Sequence, residues 1–184
     1  MRAMSIGTPL PPFSGLPDTQ GKRRSAEDFR DARILVVVFS CNHCPYVQAY
    51  EDRMIAFQQA YAGRGVQLVA INANDTTNYP EDDLPGMVKR AAMKKFNFPY
   101  LRDESQTVAE SFGATHTPEF FVFAAPPGSA TRVLCYHGKM DDNYEDPARV
   151  KRHYLREAVE AVLAGAPVAE SETHSIGCTI KWRA

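Results

Sequence analysis

The sequence predicts an α/β protein: a central mixed β-sheet flanked by helices, with an N-terminal extension and a helix inserted after a βαβ unit. Three observations lead there. A run of branched apolar residues, Ile34 to Phe39, breaks off at Ser40 and gives way to Val47, Tyr50, Met54, Phe57 and Tyr61 at steps of three and four. A second apolar run, Val66 to Asn72, follows, and a strand–helix–strand sequence of this kind closes as a parallel, right-handed unit. Further on, Glu119–Phe123 and Thr131–His137 flank a turn-rich link, 124–129, which makes an antiparallel hairpin. Parallel and antiparallel pairings in one chain require a mixed sheet.

Composition bounds the rest. The chain has 184 residues, 44 % hydrophobic and 23 % charged, with a formal charge of −1, which suits one globular domain. Charges of both signs are interspersed, which argues against a nucleic-acid or membrane partner. Residues Met1 to Pro12 hold no continuous apolar stretch resembling a signal peptide. The longest apolar run, Ile34–Phe39, is far shorter than the ~20 residues a membrane helix needs. These features predict a cytoplasmic protein.

Taken in order, residues 10–32 are punctuated by proline and glycine, with a turn at 16–21 between two short extended pieces. Ser25 with Asp28 three residues on marks a capped helical turn. The βαβ unit is then strand 34–39, helix 45–62 and strand 66–72, with Pro45 in the helix's first turn, where a missing N–H is harmless. A polar irregular stretch, 74–85, precedes the inserted helix over 86–96. Residues 98–101 are extended, and Ser105 caps a helix that stops at Gly113. After the hairpin, Asp146-Pro147 opens a last helix carrying Val150, Tyr154, Leu155, Ala158, Val159 and Val162 on one face. The tail, 168–184, alternates Ile176, Cys178, Ile180 and Trp182 with small or polar residues, so it docks in extended form with Trp182 as its anchor.

The chemistry sits at the strand–helix junction, in Cys41-Asn42-His43-Cys44-Pro45. A Cys-x-x-Cys at the start of a helix is a redox motif. The thiolate is the reactive form, and the unpaired N–H groups of a helix N-terminus favour it. His43 adds a positive charge when protonated; as a plain turn residue it would do nothing. In the usual arrangement the first cysteine attacks and the second resolves, so Cys41 is the nucleophile and Cys44 the resolving thiol. A zinc site needs four ligands, and no second pair stands at metal spacing, so no metal is expected.

These motifs resemble the thioredoxin fold: the βαβ unit with its cysteine pair, Thr117-Pro118 ahead of a strand, a hairpin and a terminal helix. The N-terminal extension and inserted helix resemble the peroxiredoxin-like branch, the alkyl hydroperoxide reductase/thiol-specific antioxidant superfamily. The resemblance also draws on Cys41-Asn42-His43-Cys44-Pro45-Tyr46-Val47, Asp141-Asp142-Asn143 and Ile176-Gly177-Cys178-Thr179-Ile180-Lys181-Trp182. It implies that 1–184 is a single thioredoxin-like domain. It implies that Pro118 is cis and faces the cysteines, and that Thr117, Pro118 and His116 line the substrate site.

Departures from the family pattern stand beside this. Ser40 replaces the aromatic residue before the cysteine pair of thioredoxins, and strand 34–39 carries no acid to take a proton from the resolving thiol. Val38 stands three residues before Cys41, where peroxiredoxins carry threonine or serine, and His116 stands where related chains often carry cysteine.

The reading is a thiol–disulfide oxidoreductase without a prosthetic group. It acts on a protein or small-molecule disulfide and draws on a thiol or a thioredoxin-reductase-type electron donor. A thiol peroxidase reducing hydroperoxides and a non-catalytic redox sensor or binding module are the alternatives. Cys135, inside a strand, reads as a buried packing residue, and so does Cys178, against the alternative of a third redox thiol. The acidic clusters 81–83 and 141–142 read as solvated turns.

Overall fold

The computed structural model describes residues 3–184; Met1 and Arg2, which belong to the stretch read for a signal peptide and to the 1–184 domain reading, lie outside it. In chain order it contains β1 (Leu16–Pro17), β2 (Arg23–Arg24), β3 (Ile34–Phe39), α1 (Pro45–Tyr61), β4 (Val66–Asn72), α2 (Leu84–Lys94) and β5 (Tyr100–Arg102). There follow α3 (Thr107–Phe112), β6 (His116–Thr117), β7 (Glu119–Ala124), β8 (Val133–Gly138), α4 (Tyr154–Leu163) and β9 (Cys178–Thr179).

Five strands form the central sheet in the order β5-β4-β3-β7-β8. The central strand β3 runs parallel to β4 and antiparallel to β7, and the β7–β8 hairpin carries a register shift between Val122 and Phe123. The sheet is mixed, as the sequence required. Every residue of β3 is buried because both faces of the sheet are covered. Ile34, Val36 and Val38 point to the side of α1 and α4, among Met54, Phe57, Leu155 and Val159. Leu35, Val37 and Phe39 point to the other side, among Phe29, Phe112, Phe121 and Phe123. Burying a side chain of this size contributes about 2 kcal/mol, so β3 is the strand that fixes the sheet. Among the described residues, no helix is long and apolar enough to cross a membrane.

Several local boundaries differ from the sequence reading. α2 starts at Leu84, two residues early, because Asp83 is its N-cap and accepts from Gly86 N at 2.7 Å. α3 begins after Gln106, which takes a left-handed conformation, so Ser105 is not its cap. Asp146-Pro147 opens only a 3₁₀ turn, Pro147–Arg149; the chain then extends at Val150, and α4 starts at Tyr154. Asp142 holds that extended link, accepting from Lys151 N at 2.9 Å and donating its own N–H to Arg152 O at 3.2 Å.

The tail lies along the body but is not held by the residue first chosen. Ile180 is the buried one, whereas Trp182 is 38 % exposed and Ile176 46 %. Hydrogen bonds do the rest: Ile180 N donates to Thr115 O, Lys181 N to Asn74 Oδ1 and Asp75 N to Lys181 O. With backbone partners on both sides, the large apolar area of Trp182 is not needed to hold the segment.

Candidate active site

The C-terminal end of β3, the start of α1, the loop after β4 and the β6–β7 junction meet at one point. Beyond the carboxyl ends of its parallel strands is where an open α/β sheet presents its crevice. β3 delivers Ser40 and Cys41 there, and Cys44 is the N-cap of α1 with Pro45 following. The N-cap position puts the Cys44 sulfur beside the unpaired N–H groups of the first turn.

Three sulfurs share this point. Cys41 Sγ lies 3.4 Å from Thr117 Oγ1, and Cys44 Sγ lies 3.3 Å from Thr117 O and 2.9 Å from Cys178 Sγ. The two motif thiols also act on each other. Their pKa values move in opposite directions. The interaction with Cys44, burial and the nearby negative Asp82 all push the Cys41 thiol far up. The Cys44 thiol is held well below its ordinary value by the interaction with Cys41; burial opposes this, and Cys178 and the Val47 N–H add to it. Burial and the neighbouring Cys44 push Cys178 up to about 11. These contacts favour the thiolate form at Cys44 and disfavour it at Cys41. The mutual interaction of the two thiols is the main cause, with the Asp82 carboxylate adding to it at Cys41 and Cys178 with the Val47 N–H adding to it at Cys44.

That carboxylate was read as solvated, and the structure corrects this. Asp82 is fully buried. It accepts from Asn42 N at 2.6 Å, Asn72 Nδ2 at 3.1 Å and Asn74 Nδ2 at 2.9 Å, and its Oδ2 lies 2.5 Å from His43 Nδ1. Asn42 is held further by donating to Glu81 O and by accepting from the Tyr100 hydroxyl. The two residues between the cysteines are thus fixed from below, and His43 is a positioned group, not a free turn residue. Asp141 is also buried; it accepts from Tyr50 Oη and Arg53, tying the following loop to α1. Both acids follow an apolar strand at its carboxyl end, within stretches rich in Asn and Asp, and that placement was the available signal.

On the other side, the Thr117–Pro118 bond is cis. Glu119, missed in the sequence, braces this turn from behind. It accepts from Thr115 N at 2.7 Å, His116 N at 2.9 Å and His137 Nε2 at 2.6 Å. His116 itself turns its ring toward Thr115 Oγ1 and His174, so the structure gives it no contact with the sulfurs. β6 pairs antiparallel with β9, placing Cys178 opposite Thr117. Cys178 is half-buried and packs against the core, and its sulfur also reaches Cys44. Cys135 is half-buried in β8, its sulfur on Val133 O, away from the site.

An open groove of about 700 Å³ borders the motif at Asn42 and His43 and is lined also by Gln48, Pro80, Lys89 and Met93. Cys41, His43 and Asp82 bring one ligand atom each within 4.8 Å. They supply three donors where a structural zinc needs four, and both Asp82 oxygens are already engaged by Asn42, His43, Asn72 and Asn74. The cluster is accounted for as a hydrogen-bonded brace.

The fold and the thiols at the α1 N-terminus, opposite a cis-proline turn, define a thioredoxin-like protein. More narrowly, the chain belongs to the AhpC/TSA family, whose model matches residues 6–132. Among solved structures it is similar to a hypothetical protein of Sinorhizobium meliloti, with 38 % identity over 100 % of this chain and 97 % of that one, at a TM-score of 0.90. An uncharacterized conserved protein of Geobacillus kaustophilus is 36 % identical over 100 % of this chain and 97 % of that one, TM-score 0.89. A thiol:disulfide interchange protein of the thioredoxin family from Chlorobium tepidum shares the fold at 20 % identity, over 88 % of this chain and 99 % of that one, TM-score 0.63. No curated protein matches the chain.

Proposed function

We propose that the protein is a thiol–disulfide oxidoreductase that uses the Cys41–Cys44 pair, with Cys44 as the attacking thiolate and Cys41 as the thiol that closes the internal disulfide. The observation that carries this is Cys44 at the N-cap of α1, its sulfur 3.3 Å from Thr117 O beside the cis Thr117–Pro118 bond. Cys44 attacks one sulfur of a substrate disulfide and the other sulfur leaves as a thiolate. The mixed disulfide on Cys44 is then resolved within the protein, the second thiol is released, and the Cys41 thiol gives up its proton as Cys41–Cys44 is left oxidised. A thiol or a thioredoxin-reductase-type donor returns the pair to its reduced form, and the chemistry calls for no prosthetic group. The substrate is a protein or small-molecule disulfide that reaches the pair from the groove beside His43.

A second reading is a thiol peroxidase acting on hydroperoxides. It is favoured by the AhpC/TSA match and by the tail, which leaves a groove and not an open strand edge beside the motif.

The test is turnover of hydroxyethyl disulfide and of insulin by the full-length protein with dithiothreitol as donor, set beside thiol-dependent consumption of hydrogen peroxide. Disulfide turnover lost in Cys44→Ser and kept in Cys135→Ser is the expected result. Peroxide consumption alone would select the second reading, and neither activity would leave a redox sensor or binding module.

A further inference from the structure

We propose that Cys178 is a third redox thiol of this site, delivered by the tail strand β9, and that it forms a disulfide with Cys44 during turnover. This rests on the thiol–disulfide reading above.

Four observations meet here. The two sulfurs are 2.9 Å apart, and a disulfide needs only a closer approach, to about 2.05 Å. The tail is tied down on both sides of that sulfur. Ahead of it, Thr173 N donates to His137 O; beyond it, Ile180 N donates to Thr115 O and Arg183 N to Gln106 Oε1. Gly177, next to the cysteine, lies so close to the site that a Cβ there would stand 2.1 Å from Thr117 O. A side chain at that position would hold the strand off; glycine lets it close on the thiols. Finally, Cys41 is 1 % exposed and Cys44 fully buried, whereas Cys178 is only half-buried. Of the three cysteines at the site, Cys178 is the least buried residue.

Cys178 packs in part against the core, with buried Ile180 two residues on, and its sulfur is nonetheless turned onto Cys44. Among the described residues, β6 has β9 as its only strand partner. An extended chain that pairs with His116–Thr117 must displace the tail, so the occupant of that edge at rest is Cys178 itself.

The step balances as a two-electron exchange. Cys44 thiolate attacks a substrate disulfide RS–SR, forming Cys44–S–S–R and releasing RS⁻, which takes the proton of Cys178. The Cys178 thiolate attacks the Cys44 sulfur, the second RS⁻ leaves and picks up a proton, and Cys44–Cys178 is formed. Cys41 then attacks the Cys44 sulfur, restoring the Cys178 thiol and leaving Cys41–Cys44 oxidised, with no further change in electron count. The tail thus resolves the mixed disulfide before the buried pair takes up the oxidation.

The experiment uses the full-length protein carrying Cys41→Ser, with Cys41→Ala as a second variant and circular dichroism as the check of folding. Reduced protein is treated with hydroxyethyl disulfide, alkylated, digested without reductant and mapped by mass spectrometry. The expected species is a Cys44–Cys178 linked peptide. Adding Cys178→Ser should replace it with a hydroxyethyl adduct held on Cys44. An adduct that persists on Cys44 while Cys178 is intact would overturn the proposal. Oxidation of the same folded variants by diamide asks for the link without any substrate, and failure to form it is equally fatal. In the otherwise wild-type protein, Cys178→Ser should lower disulfide turnover about tenfold, while Cys135→Ser leaves it unchanged. Unchanged turnover in Cys178→Ser would also overturn it. A link that forms in a protein with no disulfide turnover at all would refute the enzyme reading and leave the redox pairing of Cys44 with Cys178 standing.

Discussion

His43 Nδ1 sits 2.5 Å from Asp82 Oδ2, and the imidazole lies flat on Tyr79 with ring centroids 4.3 Å apart. The pair stands directly beneath the cysteine motif, so the imidazole covers the one carboxylate that faces Cys41. Removing it should leave the Asp82 charge nearer to the thiols and destabilise the thiolate, hence the reduced form. We expect His43→Ala to make the couple more reducing, by on the order of 30 mV, the equivalent of ~1.4 kcal/mol. Equilibration with glutathione redox buffers measures this, and a potential that stays put or rises would show that His43 does not tune the site.

Asp82→Asn tests the same carboxylate from the other side. The substitution removes the negative charge that helps push Cys41 up, so Cys41 should become alkylated at lower pH. It also turns an NH₂ donor toward groups that are themselves donors, among Asn42 N, Asn72 Nδ2 and Asn74 Nδ2. Each mismatched buried bond costs about 1–3 kcal/mol, so the denaturant midpoint should fall. Unaltered stability together with an unaltered Cys41 alkylation profile would remove Asp82 from the site's design.

Glu119 predicts a pH dependence. Burial works to raise its carboxyl pKa, but His137 and the backbone N–H groups of His116 and Thr115 outweigh it and hold the pKa below the ordinary value. A depressed carboxyl contributes stability above its unfolded pKa, near about 4.3, and loses it as the pH falls through the lower folded value. Glu119→Gln should therefore be destabilised by about 1–3 kcal/mol at neutral pH. That gap to wild type should close below about pH 4. Chemical denaturation across this range measures it; a gap that widens on acidification has the wrong sign for this mechanism.

Gly177→Ala addresses the tail without touching a sulfur. The added Cβ meets the backbone carbonyl of Thr117, which cannot give way as a flexible side chain would. We expect the β6–β9 pairing to open and amides of residues 178–181 to lose hydrogen-exchange protection. Cys178 should then be alkylated faster, while the core built on β3 keeps its stability. Unchanged exchange in the tail would mean that the close approach at Gly177 is not what holds it.

The main lines of the fold were legible from local pattern alone. Short continuous apolar runs in 34–39 and 66–72 and a period near 3.6 in 45–61 reflect which side chains water must be kept from, and that requirement acts within each segment. The Cys-x-x-Cys was placed at the strand–helix junction for the same reason, as was Pro118 ahead of β7. What the sequence could not assign were the partners of the buried polar groups. Asp82 lies 39 positions from His43, and Cys178 lies 134 positions from Cys44. Neither separation has a periodicity, and in one dimension an acid in a polar loop looks solvated. The tertiary structure decided otherwise because the loop after β4 folds back under the motif, where a carboxylate in a dry site must find donors. It also seats β9 on β6 in a register that leaves the Cys178 sulfur facing Cys44. The difference in surroundings between the two motif cysteines comes from those same contacts, since a carboxylate near one thiol and the N-cap position of the other exist only in three dimensions.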